Sequence, residues 1–148
     1  MNTLNGKNIV IGITGGIASY KSADLTRRLM DAGAQVRIMM TAAATEFVTP
    51  LTFQALSGHP VFVDEANEVA SGDSGMAHIE LARWADVIVI APASANTIAK
   101  LAHGRADNLL TTTCLASEAI KCFVPAMNRI MWQDKSTQTN CQTLIDKK

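Results

Sequence analysis

The chain has 148 residues, the size of one domain with a full hydrophobic core, so two independent domains are not expected. Thirteen Lys and Arg against thirteen Asp and Glu give a net charge of zero, which argues against a nucleic-acid or anionic-membrane partner. With 48% hydrophobic and only 18% charged residues, below the roughly 25% charged of an ordinary soluble domain, part of the surface is expected to be covered by other subunits.

Lys7 to Ile13 is a nearly continuous apolar run ending at Gly15-Gly16, the pattern of a central parallel strand buried on both faces. From Ala18 the period becomes helical: Ala18, Leu25 and Leu29 share a face, and Gly33 stands where a C′ glycine ends a helix. Gln35 to Met40 is a second strand, completing a βαβ unit. Thr41 is expected to cap a short helix through Phe47, and Thr49-Pro50 to open another, Leu51 to Ser57, stopped at Gly58. Asp64 to Gly75, rich in acids, Gly and Ser, reads as a surface loop. Ala85 to Pro92 is the clearest strand and is followed by a helix from about Ser94 to His103. Asp107 is expected to cap a helix from Asn108 to Ser117; Lys121 to Pro125 is a further strand, and Asp134 to Ile145 a helix polar on one side. This alternation predicts a three-layer α/β fold, a parallel sheet with helices on both faces.

The longest apolar run, Val87 to Ala93, is far short of the ~20 residues a membrane span needs, and the N-terminal run is too brief for a signal peptide, so a cytoplasmic location is expected. Cys114, Cys122 and Cys141 fit neither a disulfide framework nor a zinc site and read as reduced, mostly buried thiols; no metal site is expected.

In parallel α/β sheets ligands lie beyond the carboxyl ends of the strands, which directs attention to the residues after Ile13, Met40, Ala91 and Val124. Gly15-Gly16-Ile17-Ala18 follows the first strand and opens a helix, where free N–H groups can hold a phosphate. The run is neither a P-loop nor Gly-x-Gly-x-x-Gly, so a single phosphate, as on FMN, suits it better than a triphosphate or dinucleotide; a plain βα turn is the equal alternative. Ser94, Asn96 and Thr97 offer polar contacts to a flat ring or ribityl chain, although an N-cap with an ordinary first turn explains them as well. Asn128, after the last strand, carries an amide that would be costly to bury unpaired, a cost that a ligand carboxylate would remove, although a simple turn Asn explains it as well. His78, taken alone, reads as a structural histidine.

Taken together, Gly-Gly-Ile-Ala-x-Tyr-Lys at 15–21, His-Ile-Glu-Leu at 78–81, Trp-Ala-Asp at 84–86, Pro-Ala-Ser-Ala-Asn-Thr at 92–97 and Pro-Ala-Met-Asn-x-x-Met-Trp at 125–132 resemble the homo-oligomeric flavin-containing Cys decarboxylases, in particular their phosphopantothenoylcysteine decarboxylases. The resemblance implies a Rossmann-like (flavodoxin-like) FMN enzyme built on trimers or multiples of trimers, with flavin at subunit contacts. By that likeness Gly15, Gly16, Ile17, Ala18 and Thr41 take the FMN phosphate, and Ser94, Asn96 and Thr97 line the flavin site. His78 and Asn128 are the expected catalytic residues. Asn128 would hold the substrate carboxylate with Met131 beside it, and Arg83 is a further substrate-binding candidate.

The implied activity is decarboxylation of 4′-phosphopantothenoylcysteine toward 4′-phosphopantetheine in coenzyme A biosynthesis. Direct loss of carbon dioxide would leave an unstabilised carbanion, so oxidation to a thioaldehyde comes first and provides the electron sink. A neutral imidazole at His78 would serve as base or proton relay. Relatives that return the ene-thiol to a saturated thiol use a cysteine on a Gly-rich flap beyond the Pro-Ala-Met-Asn motif. No such motif follows here, and Cys141 has the wrong neighbours, so residues 1–148 read as one flavoprotein domain incomplete at its C-terminus. Two alternatives follow: a lantibiotic-type peptidyl-cysteine oxidative decarboxylase, and a non-catalytic FMN-binding regulatory protein.

Overall fold

The computed structural model describes residues 2–64 and 74–147. Five parallel strands form one sheet: β1 (Asn8–Ile13), β2 (Gln35–Met40), β3 (Phe62–Val63), β4 (Val87–Ala93) and β5 (Ile120–Pro125), in the order β3-β2-β1-β4-β5. The helices are α1 (Lys21–Asp31), α2 (Pro50–Ser57), α3 (Ser74–Trp84), α4 (Ala95–Ala102), α5 (Leu109–Ala116), α6 (Arg129–Gln133) and α7 (Lys135–Lys147), with 3-10 turns at Ile17–Tyr20 and Ala43–Glu46. The architecture is the expected three-layer Rossmann-like α/β fold.

Strand alternation sorts the core into two layers. Ile9, Ile11 and Ile13 of β1 join Val36, Ile38 and Met40 of β2 in packing against Leu25 and Leu29 of α1 and Phe53 of α2. On the opposite face Val10, Ile88 and Ile90 meet Leu81 of α3, Ile98 of α4 and Leu110 and Cys114 of α5, with Leu144 of α7 at the margin. Gly12 makes the second layer possible, because a Cβ there would lie 2.4 Å from Leu110 Cδ1. Burying β1 on both faces is what its unbroken apolar run requires.

The structure amends three expectations. Asn108, not Asp107, caps α5: its Oδ1 accepts from Thr111 N at 2.8 Å, and Thr111 Oγ1 accepts from Asn108 N, a reciprocal capping box. Asp107 instead pairs with Lys100 and Arg105, both at 3.1 Å, and the Lys100 hydrogen bond is the main cause holding its carboxyl below the usual range. We expect Asn108→Ala to cost about 1 kcal/mol, whereas Asp107→Ala leaves the urea midpoint near wild type, because exposed pairs contribute little. Cys122 does not pack: β5 is a sheet edge, and Cys122 is exposed on it with Ile120 and Val124. The Asp64–Gly75 loop lies largely outside the described residues, although Ser74 and Gly75 already belong to α3.

Cys114 is buried, and burial pushes its thiol up to about 12 from 9.0. Its folded value is raised, so the unfolded chain loses this proton first as pH climbs above about 9, and stability falls between there and about 12. Urea midpoints measured across that range should decline, and Cys114→Ala should flatten the decline.

Candidate functional site

The chain leaves β1 toward β2 and β3 on one side, then returns to place β4 and β5 on the other. Between the carboxyl ends of β1 and β4 the connections diverge, opening the crevice where ligands of such sheets bind.

From β1 the chain turns through Thr14, Gly15 and Gly16 into the 3-10 turn at Ile17, which runs directly into α1. No side chain caps this start, and the amides of Gly15, Gly16 and Ile17 make no hydrogen bond among the described residues. Such open amides at the positive end of a helix suit an anion. Gly15 lies so close to the loop after β2 that a Cβ would stand 2.7 Å from Ala43 Cβ, whereas a Cβ at Gly16 would point into open space. Thr41 completes this side: its N–H donates to Ile13 O at 3.0 Å, and its hydroxyl accepts from Ala44 N at 3.2 Å.

Across the crevice Ser94 caps α4, its Oγ accepting from Thr97 N at 3.2 Å and touching Thr97 Oγ1 at 3.1 Å. The expected cofactor residues divide here by environment: Asn96 is exposed, Ser94 half-buried, and Thr97 buried with its hydroxyl held by Ser94.

After β5, Asn128 caps α6, its Oδ1 accepting from Ile130 N at 2.8 Å and Met131 N at 3.3 Å. The side chain is exposed, so the expected cost of a buried amide does not arise. Capping instead fixes which end is free: the oxygen is committed to the helix, and the Nδ2 donors have no partner among the described residues. Met131, one turn position further, is half-exposed at 48%.

His78 is half-buried in the middle of α3. The C-terminus of α3 reaches the amino end of the central strand, where Asn8 at the start of β1 donates through Nδ2 to Trp84 O and through its N–H to Asp86 Oδ2. Arg83 is exposed in that last turn, rotated by about 140° around the helix from His78.

An apolar groove of about 890 Å³ lies elsewhere, lined by Leu101, Cys114, Phe123, Cys141 and Leu144 between α4, α5, β5 and α7. Burial raises the Cys141 thiol as well. Neither Cys114 nor Cys141 is a ready thiolate. Among the described residues no cluster of His, Cys, Asp and Glu is arranged to hold a metal ion, and no helix is long and apolar enough to cross a membrane.

Sequence reasoning overlooked Thr14, Ser19 and Ser22, all buried beneath this mouth with their hydroxyls bonded to backbone carbonyls. The available signal was three hydroxyls within nine residues of a strand end otherwise bounded by apolar sequence.

The chain matches the Flavoprotein family over residues 1–148. It is 52% identical over 148 residues to the coenzyme A biosynthesis bifunctional protein CoaBC of Vibrio cholerae, covering 98% of this chain and 36% of that protein. It thus spans about a third of the length of the curated relatives it matches. Among solved structures it superimposes on the FMN-dependent cysteine decarboxylase SpaF with a TM-score of 0.87 and 33% identity, over 97% of this chain and 82% of that one. A PPC decarboxylase mutant complexed with pantothenoylaminoethenethiol gives a TM-score of 0.79 and 31% identity, over 95% and 78% of the two chains. With the family matched from end to end and the crevice built on its strand ends, the chain belongs to the Flavoprotein family.

Proposed function

We propose that this chain is an FMN-dependent decarboxylase domain acting on 4′-phosphopantothenoylcysteine on the route to 4′-phosphopantetheine and coenzyme A. The observation that carries the reading is the open amide turn at Gly15–Ile17, facing the loops of Thr41 and Ser94 with no side chain filling it. The names of the CoaBC, SpaF and PPC decarboxylase relatives support it.

The residues fit a single phosphate. The amides of Gly15, Gly16, Ile17 and Ala18, with the Thr41 hydroxyl, would hold it, while Ser94 and Asn96 line the ring side and Thr97 fixes Ser94. FMN, when bound, supplies the hydride acceptor that turns the cysteinyl thiol carbon into an electron sink. Asn128 presents Nδ2 to the substrate carboxylate, its orientation set by the α6 cap, with Met131 beside it. His78 holds or relays a proton on its imidazole. Arg83, exposed in the last turn of α3, is a further substrate contact in this reading.

The exposed Ile17, Tyr20, Phe47 and Leu51 follow β1 and β2 around the same mouth. Exposed side chains of this size gathered near a ligand site favour a subunit contact there, and we propose a homotrimer or a multiple of it. Light scattering should report three chains per particle or a multiple; a flavin-bound monomer at micromolar concentration contradicts this.

None of the three cysteines is suited to reprotonate an ene-thiol, with Cys114 buried, Cys141 half-buried with its thiol raised, and Cys122 in mid-strand on β5. That favours, for this chain by itself, the oxidative outcome of the peptidyl-cysteine type. With 4′-phosphopantothenoylcysteine we expect flavin bleaching and carbon dioxide release with an oxidised ene-thiol accumulating, about 2 Da lighter than the reduced product in mass spectrometry. Multiple-turnover formation of 4′-phosphopantetheine would overturn this and return attention to Cys141.

A further inference from the structure

The carboxyl end of β4 is irregular at the point where it meets the crevice. Its ladder with β1 ends at the Gly12–Ile90 pair, and its ladder with β5 skips from Ile90 to Ala93. Ala91 and Pro92 therefore fall between two ladders, although both are buried. Their carbonyls need partners, and two side chains from the β1–α1 segment provide them. Ser22 Oγ donates to Ala91 O at 2.5 Å, and Thr14 Oγ1 donates to Pro92 O at 2.5 Å.

Thr14 does more than satisfy a carbonyl. Its hydroxyl oxygen also accepts from Ser94 N at 2.9 Å, so one side chain is used as donor and acceptor at once. Thr14 immediately precedes Gly15, and Ser94 is the cap from which α4 starts. A single buried hydroxyl thus joins the two turns that face each other across the crevice, 80 positions apart in sequence. Ser19 secures the near side, its Oγ lying 3.0 Å from Thr14 O and 2.6 Å from Gly16 O.

We propose that Thr14 is a positioning residue that fixes the spacing between the Gly15–Gly16 amides and the Ser94–Asn96 turn, with Ser22 as its auxiliary. The proposal rests on the flavin reading above. Thr14→Val keeps the shape of the side chain but leaves Ser94 N without an acceptor and Pro92 O with only the longer bond from Thr14 N, at 3.3 Å. The cheapest relief is for Ser94 N to turn toward water, which displaces the start of α4 from the glycine turn.

The test is titration of the purified chain with FMN, read by flavin fluorescence and visible circular dichroism. Thr14→Val should bind FMN about 10- to 100-fold more weakly, the range expected for an orphaned buried amide, with an altered dichroism band. Thr14→Ser should restore both to near wild type. Thr113→Val is the matched control: it removes a buried hydroxyl bond to Leu109 O inside α5 and should leave affinity and band shape unchanged. If Thr14→Val does not fold, Ser22→Ala should show the same altered band with a smaller loss of affinity. Wild-type affinity and spectrum in folded Thr14→Val, or failure of Thr14→Ser to rescue, overturns the proposal. A wild-type chain that takes up no FMN overturns the flavin reading and this proposal with it.

Discussion

Gly16→Asp is expected to abolish the yellow colour of the purified protein while leaving its fold intact. The Gly16 backbone is extended, at φ 175 and ψ 158, which any residue adopts, and a Cβ there meets nothing within 4 Å. Substitution therefore introduces no strain and no clash. What it introduces is a carboxylate at the mouth of the amide turn. At about 5 Å and an effective dielectric near 20, each unit of phosphate charge costs about 3 kcal/mol, on the order of 100-fold in affinity or more. Gly16→Ala is the control, since it adds the Cβ without the charge and should bind FMN far better than the aspartate variant. Gly15 behaves differently: its Cβ would press on Ala43 Cβ at 2.7 Å, so Gly15→Val should separate the two loops and lower stability as well as affinity. Equal FMN binding by wild type and Gly16→Asp, measured by fluorescence titration, would show that the phosphate lies elsewhere.

The second large effect is expected at Asn128 and His78. Aspartate is as good an N-cap as asparagine, so Asn128→Asp keeps the bonds to Ile130 N and Met131 N and the start of α6. It exchanges the free Nδ2 donors for an oxygen that repels a carboxylate. Flavin bleaching by substrate should slow by about 10²-fold or more, the scale on which one oriented donor acts, while FMN stays bound. His78→Asn should also leave FMN in place and slow bleaching by about 10²- to 10⁴-fold, the range for loss of a positioned acid or base. Stopped-flow absorbance of the FMN-loaded protein separates these effects from loss of cofactor. Unimpaired bleaching in Asn128→Asp would remove Asn128 from the site and leave it as a helix cap alone.

What the sequence made legible was whatever rests on period and strong punctuation. The unbroken apolar runs of β1 and β4 fixed two central strands, and Gly33, Gly58 and Thr49-Pro50 marked helix ends correctly. The crevice followed because ligand residues gather at strand ends. Features set by only a few residues were harder to see. β3 has two residues and α6 five, too short to show any period. Asp107 and Asn108 are adjacent and equally able caps; in the structure Asn108 takes the cap while Asp107 pairs with Lys100 and Arg105. The exposure of Cys122 depends on β5 being an edge, a property of strand order that its own sequence does not carry. The Arg83 expectation rested on resemblance, and the structure shows only that the residue is exposed in the last turn of α3. Thr14, Ser19 and Ser22 stayed hidden because their partners are backbone groups, which sequence does not distinguish.

The most direct test of the central claim, that a phosphate-bearing flavin sits on the Gly15–Gly16 turn, is a paired calorimetric titration of the refolded apoprotein with FMN and with riboflavin. FMN should bind at micromolar or tighter affinity, and riboflavin, which lacks only the phosphate, about 100-fold more weakly, because charge-assisted bonds to open amides supply the difference. Equal affinity for the two, or a colourless protein that takes up neither, would contradict it.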